Sequence, residues 1–275
     1  MKGIPYRELV GALQHLATHT RPDAAYEVAT LSKFSANPGR THWLTLKQLL
    51  KFLKSTSKMG LVLGGKGNII HEGYADASYA SYPDTSRSCG GYTFSLGKSS
   101  ISWKSKWFTS VTPSSTESEL TALFMATCEA TWLRKNLSFL GFAKTAPTII
   151  HEDNQGAIKC ASSTEKGGRM RHIHVKIHLV REIIDNGTIN LQFVQTIDNT
   201  ADIFTKSLKS SSLKRHTANL GLLPQPPRAT ACHSDTMTHV AALGHEPHVS
   251  RTQVAPHGVT LVGLPLIKSY PNVKV

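Results

Sequence analysis

Gly73-Tyr74-Ala75-Asp76-Ala77-Ser78 sets an aspartate inside a run that otherwise has the character of a β-strand. Asp is depleted in strands, so Asp76 asks for a reason, and the segments around it define the fold that must supply one. Residues 69–80 read as a strand, and residues 89–96 and 101–106 as two more. Turn residues separate them at Tyr82-Pro83-Asp84 and Leu96-Gly97-Lys98. Three strands at this spacing predict an antiparallel meander. A long helix is expected over residues 115–140, closed by Gly141 as its C-cap. Beyond it the sequence predicts a strand at 148–152 and helices at 154–161 and 170–186. A strand at 188–195 and a last helix at 200–208 follow. The order β-β-β-α-β-α-α-β-α predicts an α/β fold, a mixed sheet with helices packed on it.

Upstream, residues 1–58 read as helices. Leu9, Val10, Leu13 and Leu16 share one helical face, and Pro22 sits where a second helix would begin. Trp43, Leu46, Leu49, Leu50 and Leu53 recur at helical spacing in a third, which also carries a stripe of Lys47, Lys51, Lys54 and Lys58. Such a stripe is ordinarily a solvated face, and it can also meet phosphates. Downstream, residues 223–275 hold 7 of the 13 prolines, 5 of the 14 histidines and a single aromatic, Tyr270. So little large apolar surface does not offset the entropy of ordering, and this tail is expected to be disordered.

The 275-residue chain has 31 Lys and Arg against 18 Asp and Glu, a formal charge of +13. That balance favours an anionic partner, most simply nucleic acid. No apolar run approaches the ~20 residues of a membrane span, and residues 1–6 hold no signal-peptide core, so no membrane partner is expected. Four scattered cysteines, Cys89, Cys128, Cys160 and Cys232, form no CxxC pair and suggest an intracellular compartment, cytoplasm or nucleus.

Four carboxylates break local expectations: Asp76 in its strand, Glu119 a turn into the long helix, Asp153 at a strand-to-helix corner and Asp202 at the start of the last helix. Each has an ordinary explanation. Glu119 completes a capping-box spacing with Thr116, Asp153 can be an N-cap, Asp202 can complement a helix dipole, and Asp76 can be an edge-strand charge. Together they can converge over one edge of a sheet. Mg²⁺ takes carboxylate and phosphate oxygens, and two such ions serve in-line phosphoryl displacement. Acidic residues converging in a basic protein are the chemistry of a metal-dependent nuclease.

The motifs are ordered: Gly73-Tyr74-Ala75-Asp76-Ala77-Ser78, Ile101-Ser102-Trp103-Lys104-Ser105-Lys106 and Ser114-Ser115-Thr116-Glu117-Ser118-Glu119 come first. Glu152-Asp153-Asn154-Gln155, Arg171-His172-Ile173 and Ala201-Asp202-Ile203-Phe204-Thr205-Lys206 follow. With these, residues 6–222 resemble the C-terminal part of the Pol polyprotein of Ty1/copia-type LTR retrotransposons. Residues 60–222 look like the family's ribonuclease H domain, with its five-stranded mixed sheet and flanking helices. Residues 1–58 look like the end of its reverse transcriptase region.

The resemblance implies a four-carboxylate set around two Mg²⁺ ions, with Mn²⁺ as a substitute. Asp76, Glu119, Asp153 and Asp202 take the four positions as catalytic residues and metal ligands. Glu117 competes with Glu119, but two residues apart on a helix they face ~200° away from each other and cannot both be ligands. The implied activity is cleavage of the RNA strand of an RNA–DNA hybrid. A hybrid is close to A-form and displays 2′-hydroxyls in a wide minor groove; Ser78 and Asn154 stand near enough in sequence to read them. Lys104, Lys106, Arg169, Arg171 and Lys176 are expected to meet phosphates. No Tyr-x-Asp-Asp motif occurs, so no reverse transcriptase activity is expected. The alternative reading is a decayed or domesticated fragment that binds nucleic acid or a protein without cleaving. A third reading, from another class, is a zinc site on Cys160, His172, His174 and His178, since His174 and His178 share a helical face.

Overall fold

The computed structural model describes residues 3–64, 71–97, 99–142, 145–163 and 174–225. Residues 1–228 form one compact unit. Almost all of the predicted tail, from residue 226 on, lies outside the described residues, as do residues 164–173 with the start of the helix expected at 170.

The N-terminal segment folds as α1 (Tyr6–His19), a 3-10 turn (Pro22–Ala24), α2 (Ala25–Ser32) and α3 (Arg40–Ser55). Its core unites Tyr6, Val10, Leu13, Val28, Leu31, Leu46, Leu49 and Leu53. The buried face of α1 is therefore rotated slightly from the predicted one: Leu9 and Leu16 are only partly covered, and Tyr6 and Ala17 are inside. The Tyr6 hydroxyl donates to the Leu31 carbonyl at 2.9 Å, tying α1 to α2. Lys47, Lys51, Lys54 and Lys58 are all exposed.

The main sheet comprises β2 (His71–Ser78), β3 (Cys89–Leu96), β4 (Ser99–Trp107), β5 (Thr148–Glu152) and β6 (Ile189–Phe193), in the order β4-β3-β2-β5-β6. The meander β2-β3-β4 is antiparallel, while β5 lies parallel to β2 and β6 parallel to β5. This is the five-stranded mixed α/β sheet with flanking helices that the sequence led one to expect. Crossover α4 (Ser115–Phe139), α5 (Gln155–Ser162) and α6 (His174–Asp185) contribute to one core with the sheet, around Tyr92, Phe94, Leu120, Leu123, Ile150 and Val180.

Three elements depart from the sequence reading. Residues 200–208 do not make an α-helix; a 3-10 helix spans Thr200–Phe204, after another at Thr196–Asp198. A further helix, α7 (Ser210–Asn219), begins in a run of three serines with no apolar period to announce it. A two-stranded antiparallel ribbon joins β1 (Met59–Leu61) to β7 (Leu222–Pro224), so Leu223 and Pro224 are paired rather than part of a tail. Tryptophans on β4 fasten the N-terminal helices to the sheet. Trp103 Nε1 donates to the Ala17 carbonyl at 2.8 Å, and Trp107 Nε1 to Thr30 Oγ1 at 3.3 Å. Lys33 lies 3.1 Å from the Tyr82 ring centroid and 3.9 Å from that of Trp107.

Candidate active site

β2 and β5 are parallel neighbours, so their carboxyl ends meet at one rim of the sheet, the usual place for ligands in open α/β sheets. Asp76 lies near the end of β2, and Asp153 directly follows β5. One turn into α4, Glu119 comes to the same rim. One carboxylate oxygen from each of Asp76, Glu119 and Asp153 lies within 4.8 Å of the others.

Neighbouring residues take over the capping duties that the sequence offered these carboxylates. The N-cap of α4 is Ser114, whose side chain accepts from Glu117 N at 3.2 Å. The Thr116–Glu119 spacing therefore caps nothing, and Glu119 turns inward. The N-cap of α5 is Asn154, whose Oδ1 accepts from Ala157 N at 2.9 Å. Asp153 is thereby released from that role. Asp76 is on a central strand, not an edge, which removes the aggregation-blocking explanation.

Asp202 comes to the rim on the 3-10 segment. Asn199, fully buried, pins that segment to the sheet: its Nδ2 donates to the Ala75 carbonyl at 2.8 Å and its Oδ1 accepts from Ala201 N at 3.1 Å. Gly91 makes the close approach possible. It stands opposite Asp76 in the β2–β3 register, and a Cβ there would collide with Phe204. Thr205 then reaches Asp76, donating its hydroxyl to Oδ2. Lys206 bridges the two aspartates, with Nζ 2.7 Å from Asp202 Oδ1 and 4.0 Å from Asp76 Oδ2. Asp202 is thus joined to the acidic triad through Asp76 and Lys206 rather than being a member of it.

Burial and mutual repulsion shape the charges. Burial pushes the Asp76 carboxyl up to about 7, against the pull of Lys206 and helped by the nearby Asp202. Glu119 rises to about 11, through burial and then the charges of Glu152, Asp76 and Asp153. Asp202 is raised by burial despite Lys206. Although burial opposes its charge, Lys206 is held above its ordinary value by Asp76 and Asp202. Among the described residues, Glu119 Oε2 is buried without a hydrogen-bond partner. Hard divalent cations such as Mg²⁺ are bound by carboxylate oxygens, and such an ion would offset this crowding. The residues present therefore fit a divalent cation, held by Asp76, Glu119 and Asp153 with Asp202 alongside.

Sequence reasoning missed Glu152, Asn199, Thr205 and Lys206 as parts of the site. Glu152 is completely buried, its Oε1 accepts from Asn154 N at 3.1 Å, and among the described residues its Oε2 has no hydrogen-bond partner. Burial, then Asp76 and Asp153, drives its carboxyl well above the ordinary range. Strand parity carries the signal, because Glu152 shares the inward positions of β5 with Thr148 and Ile150.

The predicted nucleic-acid contacts divide. Ser78 ends β2, half-buried, and Asn154 is half-buried with its Oδ1 committed to the α5 cap. Lys104 and Lys106 pair across β4 with Tyr92 and Gly90, both of which face α4. Lys106 is exposed and close enough to Lys176 to depress it further, after burial. Arg169 and Arg171 lie outside the described residues, as does His172 of the zinc set. Among the described residues, no helix is long and apolar enough to cross a membrane.

No protein-family model matches the chain. Over 223 residues, 81% of this chain, it is 36% identical to the "Retrovirus-related Pol polyprotein from transposon RE1" of Arabidopsis thaliana. Over 206 residues, 75% of the chain, it is 35% identical to the corresponding polyprotein "from transposon TNT 1-94" of Nicotiana tabacum. It spans 15% of the length of each. A third relative, "Secreted RxLR effector protein 161" of Plasmopara viticola, is 44% identical over 133 residues, which are 48% of this chain and 94% of that one. Among solved structures, an N-terminal RNase H domain from Mycobacterium tuberculosis is similar with a TM-score of 0.37 at 13% identity, over 55% of this chain and 98% of that one. LC11-RNase H1 in complex with RNA/DNA hybrid also gives 0.37, at 14% identity over 49% and 93%.

Proposed function

Because the chain belongs to the retrovirus-related Pol polyproteins of copia-type transposons, we propose that it is a divalent-metal-dependent nuclease cutting the RNA strand of RNA–DNA hybrids. The observation that carries this reading is the acidic triad: three carboxylate oxygens within 4.8 Å at the carboxyl ends of two parallel strands. Bound Mg²⁺ would supply an activated water and charge stabilisation at the scissile phosphate.

This chain's own residues do the rest. Asp76, Glu119 and Asp153 would hold the cation, and Asp202 would serve as a further carboxylate ligand. Thr205 fixes the Asp76 carboxylate, and Asn199 fixes the segment that carries Asp202. Lys106 and Lys176 face the phosphate backbone, and Ser78 and Asn154 contact the hybrid's sugar edge.

The test uses the full chain and an end-labelled hybrid with Mg²⁺, Mn²⁺ or EDTA. Metal-dependent cuts confined to the RNA strand, and lost in Asp153→Asn with folding retained, are the expected result. An intact hybrid with folded parent protein overturns the nuclease reading and leaves a chain that binds without cleaving.

A further inference from the structure

Beside the acidic rim, a cleft of about 260 Å³ opens between the N-terminal helices and the segment that follows Asp202. Leu49, Phe52, Ile203 and Leu208 give it apolar walls, and Glu27 and Lys206 also line it. The charges of the cleft are unequally matched. Asp23 is neutralised by Arg21, which donates to both its carboxylate oxygens at 2.9 and 2.8 Å. Lys206 is taken by Asp202 at 2.7 Å. Glu27, half-buried, is met by a backbone N–H and by the Ser207 hydroxyl at 3.4 Å, and among the described residues no cation pairs with it. An isolated carboxylate against apolar walls is costly unless a counter-charge joins it. In a chain of net charge +13, such a site selects against the polyanion the rest of the surface attracts.

We propose that this cleft is a binding site for a small organic cation, an amidinium or guanidinium on a flat apolar body. The charged end pairs with the two oxygens of Glu27, in the bidentate geometry that planar cations offer carboxylates. The apolar body fills the space between Phe52 and Leu208. Burial raises the Glu27 carboxyl to about 7, consistent with a group that lacks its partner. Binding here rests on Glu27 and the apolar walls and stands apart from the nuclease reading, although Lys206 borders both the cleft and the acidic rim.

The experiment titrates the full chain, followed by NMR or calorimetry, with benzamidine and with its neutral counterpart benzyl alcohol. Saturable binding of benzamidine below about 10 mM is expected for a ligand of this size, with benzyl alcohol much weaker. Glu27→Gln, close in shape, should weaken benzamidine about ten- to a hundredfold, as expected for loss of a charge-assisted contact. Leu208→Trp, which fills the cleft and leaves Glu27 in place, should abolish saturation. Equal binding of the two probes, unchanged affinity in Glu27→Gln, or no saturation in the parent overturns the proposal. Circular dichroism confirms that each variant is folded.

Discussion

Replacing Asn199 by Ala removes two hydrogen bonds at once, the 2.8 Å donation to the Ala75 carbonyl and the 3.1 Å acceptance from Ala201 N. Both partners sit on residues with no exposure, so water cannot substitute for the lost amide. Leaving a buried polar group without its partner costs about 1–3 kcal/mol, so the pair amounts to about 2–6 kcal/mol. For a folded unit of this size, each kcal/mol moves the unfolding temperature by about 2–4 °C. Asn199→Ala should therefore unfold about 4–24 °C below the parent in a thermal scan. Asn199→Asp keeps the acceptor for Ala201 N but sets a buried carboxylate against the Ala75 carbonyl, and at pH 8 it should be at least as damaging. If the 3-10 segment owes its place to this side chain, hybrid cleavage falls as well, on the order of a hundredfold for a displacement near 1 Å. A Tm within about 2 °C of the parent, with cleavage intact, would refute the claim that Asn199 anchors the Asp202 segment.

Gly91→Ala forces a methyl group into Phe204, and should cost about 1–3 kcal/mol, read as a lower urea midpoint; an unchanged midpoint would mean the strand and the 3-10 segment are not in close contact. Lys206→Met keeps most of the side-chain stem but removes the charge between Asp202 and Asp76. The metal-free variant should melt below the parent at pH 8, and Mg²⁺ should recover more of that loss than it adds to the parent; equal Mg²⁺ gains in the two would argue against cation and lysine sharing the carboxylates. The raised carboxyl of Asp76 gives a signed pH dependence. A carboxyl whose folded value exceeds its unfolded one contributes stability below the ordinary value of 3.8, and that contribution is lost as pH rises through about 7. The metal-free chain should then be harder to melt at pH 5 than at pH 8, with a shallower slope in Asp76→Asn. A parent that gains stability over that range would contradict the burial of an uncompensated Asp76.

The parts of this molecule that repeat locally were legible, and the parts made by distant contacts were not. The turn residues that bound β2, β3 and β4, the Gly141 stop after α4 and the apolar stripe of α3 made the meander and the helices legible, because each is written within a few neighbouring residues. The carboxylates were legible as anomalies, and the structure removes the competing explanations for Asp76, Glu119 and Asp153. Ser114 caps α4 and Asn154 caps α5, so Glu119 and Asp153 serve no cap. A polar residue that could cap a helix, with a better cap one or two positions earlier or later, is in that sense a sequence-level pointer to a site. No such pointer marks the β1–β7 ribbon, which pairs Met59 with Pro224 across the length of the unit, or the tryptophans of β4 that fasten α1 and α2 to the sheet. These contacts also bear on what the site is. The N-terminal helices pack against the outer strand and form one wall of the cleft beside Lys206. The surroundings of the acidic rim are thus built from both segments, and the residues before 60 belong to the same folded unit as the carboxylates.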